Sequence, residues 1–462
     1  MSLLASCAPQ PTATPAPAPT KAQAGTAAPQ ATAVPATAAP AKADTTKITL
    51  RVTANPGDDA KLQAGFAQKY MEMYPNVTIK IEEAGQLNDQ TPLAAAAGNL
   101  ADVLVQVHNR WFSMWCYKGY YLPLDDLMAA NPQAIPDPKD IYPIGWEAAK
   151  FEGKLYGVPR ATWPGSAYGI IMNRNLFEKA KVDMPKGEVD IYTVQELAFK
   201  LANKKEGIFG IQMVTHKQNR LANTLRFWGK PEYGVNGDTS SWPSSPDGKK
   251  WRYYDNPACD EWYNKWYRPL LEAGAAVKPQ DETDAAGQGE LFVLGRVAML
   301  QGYHRDPQRC WLRIGDKWKF YREDACLLKG PQGRYGTCQE NYNDCIGFQS
   351  KVPQEALKYI GFETNYENQL AQMEVTGRII SRHKVYTESP LSKTTPLYKA
   401  AAELLVSGKV EPYTLPWNFR DDEARDKYYN TTLPLYNCTK TWKEQAPISQ
   451  AEVQKVYDEP RP

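Results

Sequence analysis

The sequence predicts an α/β protein with mixed β-sheets flanked by helices, and two repeated patterns carry this prediction. Apolar and polar residues alternate over 48–52, which is typical of a strand, and an apolar stripe over 62–73 indicates a helix before a second alternating run at 77–81. A strand, a helix and a strand at this spacing indicate a right-handed parallel unit. A second unit follows, with a short helix over 94–97 and a strand over 102–107. The α/β class follows from these two units.

The ends of these strands are where a ligand site is expected, because open parallel sheets bind ligands beyond the carboxyl ends of their strands. Asp58 also fits the simpler role of N-cap for its helix, and Trp111 equally fits a core because it opens an amphipathic helix. The polar and aromatic residues that follow the predicted strands at this edge are Asn55, Asp58, Gln86, His108, Arg110 and Trp111.

A crossing between two bodies is predicted at 159–165. A short strand stops at Pro159, and apolar residues resume at 168–172 after a break that is punctuated by Pro and Gly. Arg160 and Trp163 lie in this crossing, and clefts between domains are preferred ligand sites. These two residues are therefore the first candidates to line a cleft.

A helix with a strong aromatic stripe is predicted at 259–271. Its Cys, Trp, Tyr and Leu residues keep a 3–4 spacing, and such a stripe is more typical of a core than of a ligand site. Pro269 is expected to kink this helix or to end it early. Helices are also predicted at 192–203 and 397–406, and a strand is predicted at 209–213. The segment 228–251 is predicted as a loop.

Five short motifs occur in a fixed order along the chain. Residues 122–127 match L-x-P-L-D-D-L with one residue fewer. Residues 152–159 match D-G-K-L-Y-G-x-P with Glu in place of Asp, and 172–177 match Y-N-x-x-L-F with Met in place of Tyr. Residues 289–302 contain a segment similar to F-x-x-G-K-A-A-M-x-x-x-G, and 350–356 are similar to S-K-x-P-E-A-A. In these motifs the chain resembles the sugar-type (family 1) extracellular solute-binding proteins of ABC importers.

The resemblance covers about residues 47–436 and implies a fold, a function and partners. The fold would be two-lobed and periplasmic-binding-protein-like (type II), with mixed sheets flanked by helices and a ligand cleft between the lobes. The function would be capture of a carbohydrate without catalysis or a cofactor, by a monomer that delivers it to permease transmembrane subunits. Nucleic acid is not an expected partner, because 54 Lys and Arg nearly balance 52 Asp and Glu.

The expected organisation follows from the motifs and from composition. The second lobe is interrupted, and its first part leaves room for segments that return to the first lobe. In chain order we expect a lipoprotein signal remnant with a lipobox at 1–7 and a tether at 8–46. The first part of lobe 1 is expected at 47–160 and the first part of lobe 2 at 161–346. Return helices of lobe 1 are expected at 347–385, and the C-terminal part of lobe 2 at 386–462.

The N-terminus carries a localisation signal. Leu4-Ala5-Ser6-Cys7 matches the lipobox of bacterial lipoproteins, in which Cys7 takes the lipid, although the usual basic and long apolar regions before it are missing. The segment 8–46 is almost wholly Ala, Pro, Thr and Gln, a composition that stays unfolded. We expect a lipid-anchored protein at the extracellular face of the cytoplasmic membrane or in the periplasm.

The cysteines leave two alternatives open. With Cys7 lipidated, seven cysteines remain, which allows at most three disulfides. One interpretation pairs two of Cys326, Cys338 and Cys345, and buried free thiols are the equally supported alternative. No spacing is of the CxxC type, so no zinc ribbon, thioredoxin-like site or other metal site is indicated.

A sugar site needs planar hydrogen-bonding side chains and an aromatic platform. Arg305 also fits a surface pair with Asp306, and the aromatic residues of loops also fit a packing role. If three or more of the cationic candidates converge, the ligand would be anionic, for instance a uronate-bearing sugar. Beside Arg160 and Trp163, the candidates beyond the first lobe are Trp228, Tyr303, His304, Arg305, Trp417 and Arg420.

Catalysis is the main alternative to binding. The sequence has no G-x-S-x-G elbow, no H-E-x-x-H, no Walker loop and no complete G-x-G-x-x-G before a helix. A lipid-anchored glycoside hydrolase or polysaccharide lyase stays open, because a hydrolase needs only two carboxylates across a sugar site. A peptide- or metal-binding member of the same fold is a third interpretation.

Overall fold

Two five-stranded mixed β-sheets carry the fold in the computed structural model, which describes residues 46–83, 87–164, 168–213, 226–228, 245, 249–279, 289–331, 333, 335, 339–377, 380–407, 410 and 420–460. The first sheet has the spatial order β2-β1-β3-β12-β6 and consists of β1 (Ile48–Ala54), β2 (Val77–Glu83), β3 (Val103–His108), β6 (Gly157–Pro164) and β12 (Gln339–Ile346). β1 pairs in parallel with β2 and with β3, which confirms the two predicted parallel units. β12 runs antiparallel to both β3 and β6.

The second sheet has the order β8-β11-β7-β10-β9. Its strands are β7 (Gly169–Met172), β8 (Glu188–Asp190), β9 (Phe209–Gln212), β10 (Val297–Gly302) and β11 (Ala325–Lys329). β7 is antiparallel to both neighbours, whereas β9 with β10 and β8 with β11 are parallel. A separate two-stranded ribbon joins β4 (Lys150–Phe151) and β5 (Lys154–Leu155).

Helices cover the sheets. The first group is α1 (Asp58–Met73), α2 (Leu87–Ala96), α3 (Asn109–Tyr117), α4 (Asp125–Ala130), α5 (Pro143–Ala148), α6 (Arg174–Ala180) and α7 (Ile191–Leu201). The middle group is α8 (Pro257–Glu261), α9 (Arg268–Glu272), α10 (Glu290–Val293), α11 (Asp306–Ile314), α12 (Pro353–Glu363) and α13 (Tyr366–Thr376). The last group is α14 (His383–Glu388), α15 (Pro390–Thr394), α16 (Pro396–Val406), α17 (Asp421–Tyr436) and α18 (Trp442–Asp458), and 3₁₀ turns occupy Pro138–Asp140 and Arg226–Trp228.

Each sheet has its own hydrophobic core. Leu50, Val103 and Ile360 are fully buried in the core of the first sheet. Ile170 and Trp262 are buried in the largest core, which packs on the second sheet and extends into the C-terminal helices. Because burial of apolar surface is the dominant favourable contribution to folding, the two cores make two lobes.

The aromatic helix is interrupted by a π-helical turn. The chain is α-helical in α8, π-helical over Trp262–Tyr267 and α-helical again in α9, which contains Pro269. A proline ring clashes with the carbonyl four residues earlier, and a wider turn just before it accommodates that ring. The expected kink or early end is therefore replaced by a π-turn, and the helix continues to Glu272. All four aromatic residues of the turn are buried, which confirms the prediction of a core role.

The predicted crossing at 159–165 is largely strand β6. β6 pairs with β12 over its whole length, from Gly157 opposite Cys345 to Pro164 opposite Gln339. At Gly157 a Cβ atom would lie 2.7 Å from the Cβ atom of Asn343, so only glycine fits the close approach of these strands. Both strands belong to the first sheet. The chain therefore leaves the first sheet after Pro164 and returns to it before Gln339, whereas the expected lobe boundaries were 160/161 and 346/347.

The cysteines of the described segments are reduced. Cys116, Cys259, Cys310, Cys326, Cys345 and Cys438 are free thiols. A disulfide between any two of Cys326, Cys338 and Cys345 would have to include Cys326 or Cys345, and both of these are free. The expected disulfide is therefore wrong. Cys326 lies in β11 and Cys345 in β12, on different sheets. Over the same segments, no helix combines the length and the apolar character that a bilayer span requires.

Candidate ligand-binding site

Four aromatic side chains meet where the carboxyl end of β3 lies beside β12 and β6. His108 is the register partner of Tyr342, and Trp163 is the register partner of Glu340. The ring centroids of Trp163 and Tyr342 are 4.9 Å apart, and those of His108 and Tyr342 are 5.2 Å apart. His108 also lies 5.8 Å from Trp111 and 6.0 Å from Trp163. We call these four residues the aromatic wall: His108, Trp111, Trp163 and Tyr342.

The wall combines apolar faces with one carboxylate. Trp163 is almost fully buried, whereas Trp111 and Tyr342 are half-buried. Glu340 Oε2 lies 3.8 Å from His108 Nε2, and the two side chains keep 12% and 15% of their surface exposed. A flat apolar surface next to a carboxylate acceptor is suited to a molecule that has a C–H face and hydroxyl donors.

Arg305 belongs to the second sheet's side of the site, in the turn after β10. Its guanidinium lies 5.5 Å from the ring centroid of Tyr303, and its Nε lies 3.8 Å from Asp306 Oδ1. Burial opposes the charge of Arg305, but Asp306, then Tyr342, Tyr303 and Glu340, together raise the pKa of the guanidinium. Tyr342 and Glu340 belong to the first sheet, so the Arg305 guanidinium lies near enough to this part of the first sheet for their charges to act on its pKa.

Asn55 and Gln106 form a polar pair near the carboxyl ends of β1 and β3. Asn55 Nδ2 donates to Gln106 Oε1 at 3.1 Å. Gln106 has a φ of 56°, in the left-handed region that non-glycine residues rarely adopt, although it lies within a strand. Backbone strain of this kind persists only where the surroundings hold it. Asn55 is therefore placed at the predicted strand end, with a partner that the sequence did not indicate.

Arg160 lies beneath the wall rather than in the cleft. Its side chain is 1% exposed, and its Nη1 donates to Asp344 Oδ2 at 2.7 Å and to Glu363 Oε2 at 2.9 Å. Burial opposes its charge, but the two carboxylates raise its pKa. Both partners belong to the protein, so the expectation that Arg160 lines the cleft is corrected. Trp163, its neighbour in the crossing, does reach the wall.

A model of the bacterial extracellular solute-binding protein family matches residues 65–402. The chain belongs to this family. The match confirms the resemblance that the motifs indicated, and membership implies an extracellular or periplasmic location.

Relatives and solved structures of solute-binding proteins agree with this assignment. The maltotriose-binding protein of Pyrococcus abyssi (strain GE5 / Orsay) is 24% identical over 143 residues, which are 31% of this chain and 29% of that relative. An ABC transporter solute-binding protein of Thermotoga lettingae bound with α-D-tagatose has a TM-score of 0.69 at 16% identity, covering 89% of this chain and 100% of that one. Maltose-bound MalE3 of T. maritima has a TM-score of 0.69 at 18% identity, covering 88% and 100%. These likenesses confirm the two-lobed α/β fold.

Two of the predicted site residues are buried in the core of the second lobe of this solute-binding protein. His304 is fully buried, and its Nε2 lies 3.3 Å from the hydroxyl of Tyr386. Burial, with a smaller contribution from Arg305, lowers the pKa of His304 to about 3, so the imidazole is neutral. Trp228 is 1% exposed and lies 6.2 Å from Trp266. The expectation that His304 and Trp228 contact the ligand is corrected, because both side chains are buried inside the lobe.

Arg420 is held by the C-terminal segment. Its Nη1 lies 3.0 Å from Glu423 Oε2 and 3.1 Å from Glu459 Oε2, and its Nε donates to the carbonyl of Pro460. This set of partners gives Arg420 a role in joining α17 to the chain end rather than the predicted ligand contact. Several predicted residues lie outside the described residues, entirely or in their side chains: Cys7, Asp58, Gln86, Arg110 and Trp417.

Sequence reasoning missed the contributions of β12. Glu340 and Tyr342 lie in a run of Gln, Glu, Asn, Tyr and Asp that reads as polar loop, yet the run forms a central strand of the first sheet. The available signal was the alternation of Glu340, Tyr342 and Asp344 with asparagines at 341 and 343. Across the described segments, no group of three or more His, Cys, Asp or Glu side chains could hold a metal ion.

Proposed function

We propose that this solute-binding protein captures a neutral carbohydrate in the cleft between its lobes and delivers it to the permease of an ABC importer. The observation that carries the proposal is the aromatic wall, with Glu340 beside His108 and with Arg305 electrostatically coupled to Glu340 and Tyr342. The half-buried rings of Trp111 and Tyr342, with Trp163 packed behind Tyr342, supply a platform for a C–H face of a sugar. Glu340 and Arg305 supply acceptors and donors for hydroxyls. Closure of the lobes would bury the ligand between them.

The charges at the wall favour a neutral ligand over an acidic one. Of the predicted arginines whose side chains are described, Arg305 is the one whose pKa is affected by wall-side residues, and Asp306 and Glu340 offset its charge. Arg160 is committed to two buried carboxylates, and His304 is neutral. A uronate would meet Glu340 as a like charge.

The solved relatives support the same class of ligand. The sugars bound in the two structural relatives are α-D-tagatose and maltose, both neutral. The curated relative is named for maltotriose, another neutral sugar. The ligand screen described below identifies the sugar and its length.

We further propose a lipid anchor at Cys7 with 8–46 as its tether, and a monomer as the working form. The lipobox-like Leu4-Ala5-Ser6-Cys7 and the Ala/Pro/Thr composition after it support the anchor. At about 3 Å per residue in polyproline conformation, such a tether would reach on the order of 100 Å from the membrane.

The test is a ligand screen on the full chain by thermal shift, followed by calorimetry. The panel contains tagatose, maltose, maltotriose, glucuronate, amino acids and short peptides. A ligand at a hundredfold excess over its Kd adds about 2.7 kcal/mol to the free energy of unfolding, so a true ligand raises Tm. A shift with neutral sugars and none with glucuronate is the expected result. A rise in Tm with peptides alone would overturn the proposal that the ligand is a carbohydrate. Disappearance of a glycan from the wells would show that the protein is a glycoside hydrolase or polysaccharide lyase.

A further inference from the structure

We infer that Arg160, Asp344 and Glu363 form a buried positioning network that holds the aromatic wall in its binding geometry. The three side chains come from β6, β12 and α12, and each is at most 1% exposed. Arg160 bridges both carboxylates through one nitrogen, Nη1. None of the three is offered as a ligand contact. The inference rests on the proposed function, because the wall is the proposed ligand surface.

The first link in the network is a bulge in β3. The register between β3 and β12 shifts between Asn343 and Cys345, so one stretch of β3 has no regular ladder partner. Gln106, with its φ of 56°, lies in that stretch, and its backbone N–H donates to Asp344 Oδ1 at 2.9 Å. The neighbouring N–H of Val105 donates to Thr53 Oγ1 at 3.1 Å. Side chains thus replace the ladder bonds that the bulge removes.

The second link joins the bulge to β6. Asp344 uses one carboxylate oxygen for the Gln106 amide and the other for Arg160. A bulge bends its strand and redirects the side chains that follow it, and His108 is the second residue after Gln106. The direction of His108 at the wall therefore depends on a carboxylate that a guanidinium from another strand holds in place.

The third link is the position of the network relative to the wall. Trp163 follows Arg160 by three residues on β6, and Tyr342 precedes Asp344 by two residues on β12. All three strands that supply wall residues at this point are thus joined by the two bonds of Asp344. A change at Asp344 should move the wall residues relative to one another before it unfolds the lobe.

Glu363 completes the network from the helical layer. It accepts from Arg160 and, with the Gln63 amide turned so that both neighbours are satisfied, also from Gln63 of α1. In that orientation Gln63 Oε1 accepts from Arg160 Nη2 at 2.5 Å. The Arg160 guanidinium therefore bonds to both buried carboxylates, and the Gln63 amide bonds to Glu363 and to Arg160. Glu363 fixes Arg160 from behind, while Asp344 connects Arg160 to the bulge.

The experiment compares Arg160→Gln with a matched variant, Arg382→Gln, in the full chain. Arg382 is also 1% exposed, but its nitrogens donate mainly to the carbonyls of Thr364, Asp137 and Pro136, away from β3. Both variants should lower Tm. Calorimetry with maltotriose, or with whichever neutral sugar binds the wild type, should show Kd raised at least tenfold in R160Q and less than threefold in R382Q. Equal changes in the two variants would overturn the network as a positioning device.

A readout without ligand separates this inference from the proposed function. Amide hydrogen exchange of Gln106 should be slow in the wild type and should accelerate at least tenfold in Asp344→Ala, whereas the amide of Val105 should keep its protection. Glu363→Gln keeps the Asp344 link and should leave the Gln106 amide protected, which covers the case in which R160Q fails to fold. An unprotected Gln106 amide in the wild type, or one unaffected by D344A, would overturn the inference even if sugars bind. Absence of sugar binding with the expected exchange would instead overturn the proposed function.

Discussion

Trp163 and Tyr342 hold their rings 4.9 Å apart at an interplanar angle of 37°, although they come from strands that are distant in the chain. The pairing of β6 with β12 creates this contact, and it is the centre of the aromatic wall. A tilted pair of this kind is rigid, because each ring blocks the rotamers of the other. A rigid aromatic surface loses little conformational entropy when a ligand binds, which suits a protein whose task is capture.

Truncation of Trp163 should weaken sugar binding. We expect Trp163→Ala to cost about 2 kcal/mol of binding free energy, or roughly 30-fold in Kd, because it removes the ring that supports Tyr342 at the centre of the aromatic wall. Trp163→Phe should recover most of the affinity by restoring an aromatic face. The measurement is calorimetry, at a temperature where both variants are folded, with the sugar found in the screen.

Trp311→Ala is the control for this prediction. Trp311 lies on α11 with 46% of its surface exposed, under the guanidinium of Arg322. Its removal should leave Kd within twofold of the wild type. A Trp163→Ala variant that binds as tightly as Trp311→Ala would show that the aromatic wall is not the sugar platform.

Neutralising Glu340 should relax the selection against acidic sugars. Glu340→Gln keeps hydrogen-bonding capacity beside His108 and removes the like charge that a uronate would meet. We expect glucuronate to bind roughly tenfold more tightly, about 1.4 kcal/mol, with little change for neutral sugars. Competition calorimetry with glucuronate and maltose measures both. The idea fails if the two ligands change in parallel.

Glu363 should give stability a pH dependence of a particular sign. Burial, with the charge of Asp344 and against the attraction of Arg160, raises the pKa of Glu363 to about 7 from an ordinary value of 4.5. The folded state therefore holds this proton more tightly than the unfolded state. The stabilisation is complete below about pH 4.5, and it is lost as the pH rises through about 7, with a magnitude on the order of 3 kcal/mol.

Glu363→Gln isolates this contribution, because glutamine is a neutral substitute for the protonated acid. The difference in Tm between E363Q and the wild type should be small at pH 5 and should shift in favour of E363Q by pH 8. Urea unfolding at the two pH values converts the shift into a free energy. A difference that is the same at both pH values would show that Glu363 is ionised throughout this range.

Removal of the predicted tether should leave ligand binding unchanged. The composition of 8–45 cannot bury enough apolar surface to fold, so it should add nothing to the site. Calorimetry on the full chain and on the chain lacking 8–45 should give Kd values within twofold of each other. A large loss of affinity in the deletion would contradict the tether assignment.

Local pattern was sufficient for most of the secondary structure. The strand over 48–52, the helix over 62–73 and the helix over 192–203 each lie within or beside an observed element, because their amphipathic periodicity matches the burial they need. The exception is β12, whose alternating polar residues conceal a central strand. Its polar side chains are buried because they bond to one another and to Arg160, an arrangement that hydrophobic periodicity does not encode.

The structure brings some of the predicted site residues together and places others elsewhere. Trp163, His108 and Trp111 were predicted from strand ends and from the crossing, and the structure brings them together. Arg160 was predicted beside Trp163, but its guanidinium turns to the other side. Which side a residue faces in a bulged strand depends on register shifts between strands that are far apart in the chain.

By itself the sequence determined the α/β class, the family and the division into two bodies, because these follow from local periodicity and from short motifs in order. The tertiary structure alone decided which charged side chains form ion pairs inside the protein and which do not. Arg160 and Arg305 look alike in sequence, yet Arg160 is enclosed by two buried carboxylates, whereas Arg305 lies beside Asp306 and the ring of Tyr303. The physical reason is that desolvation and ion pairing depend on what surrounds a side chain in space, and strand pairing over long sequence distances creates those surroundings.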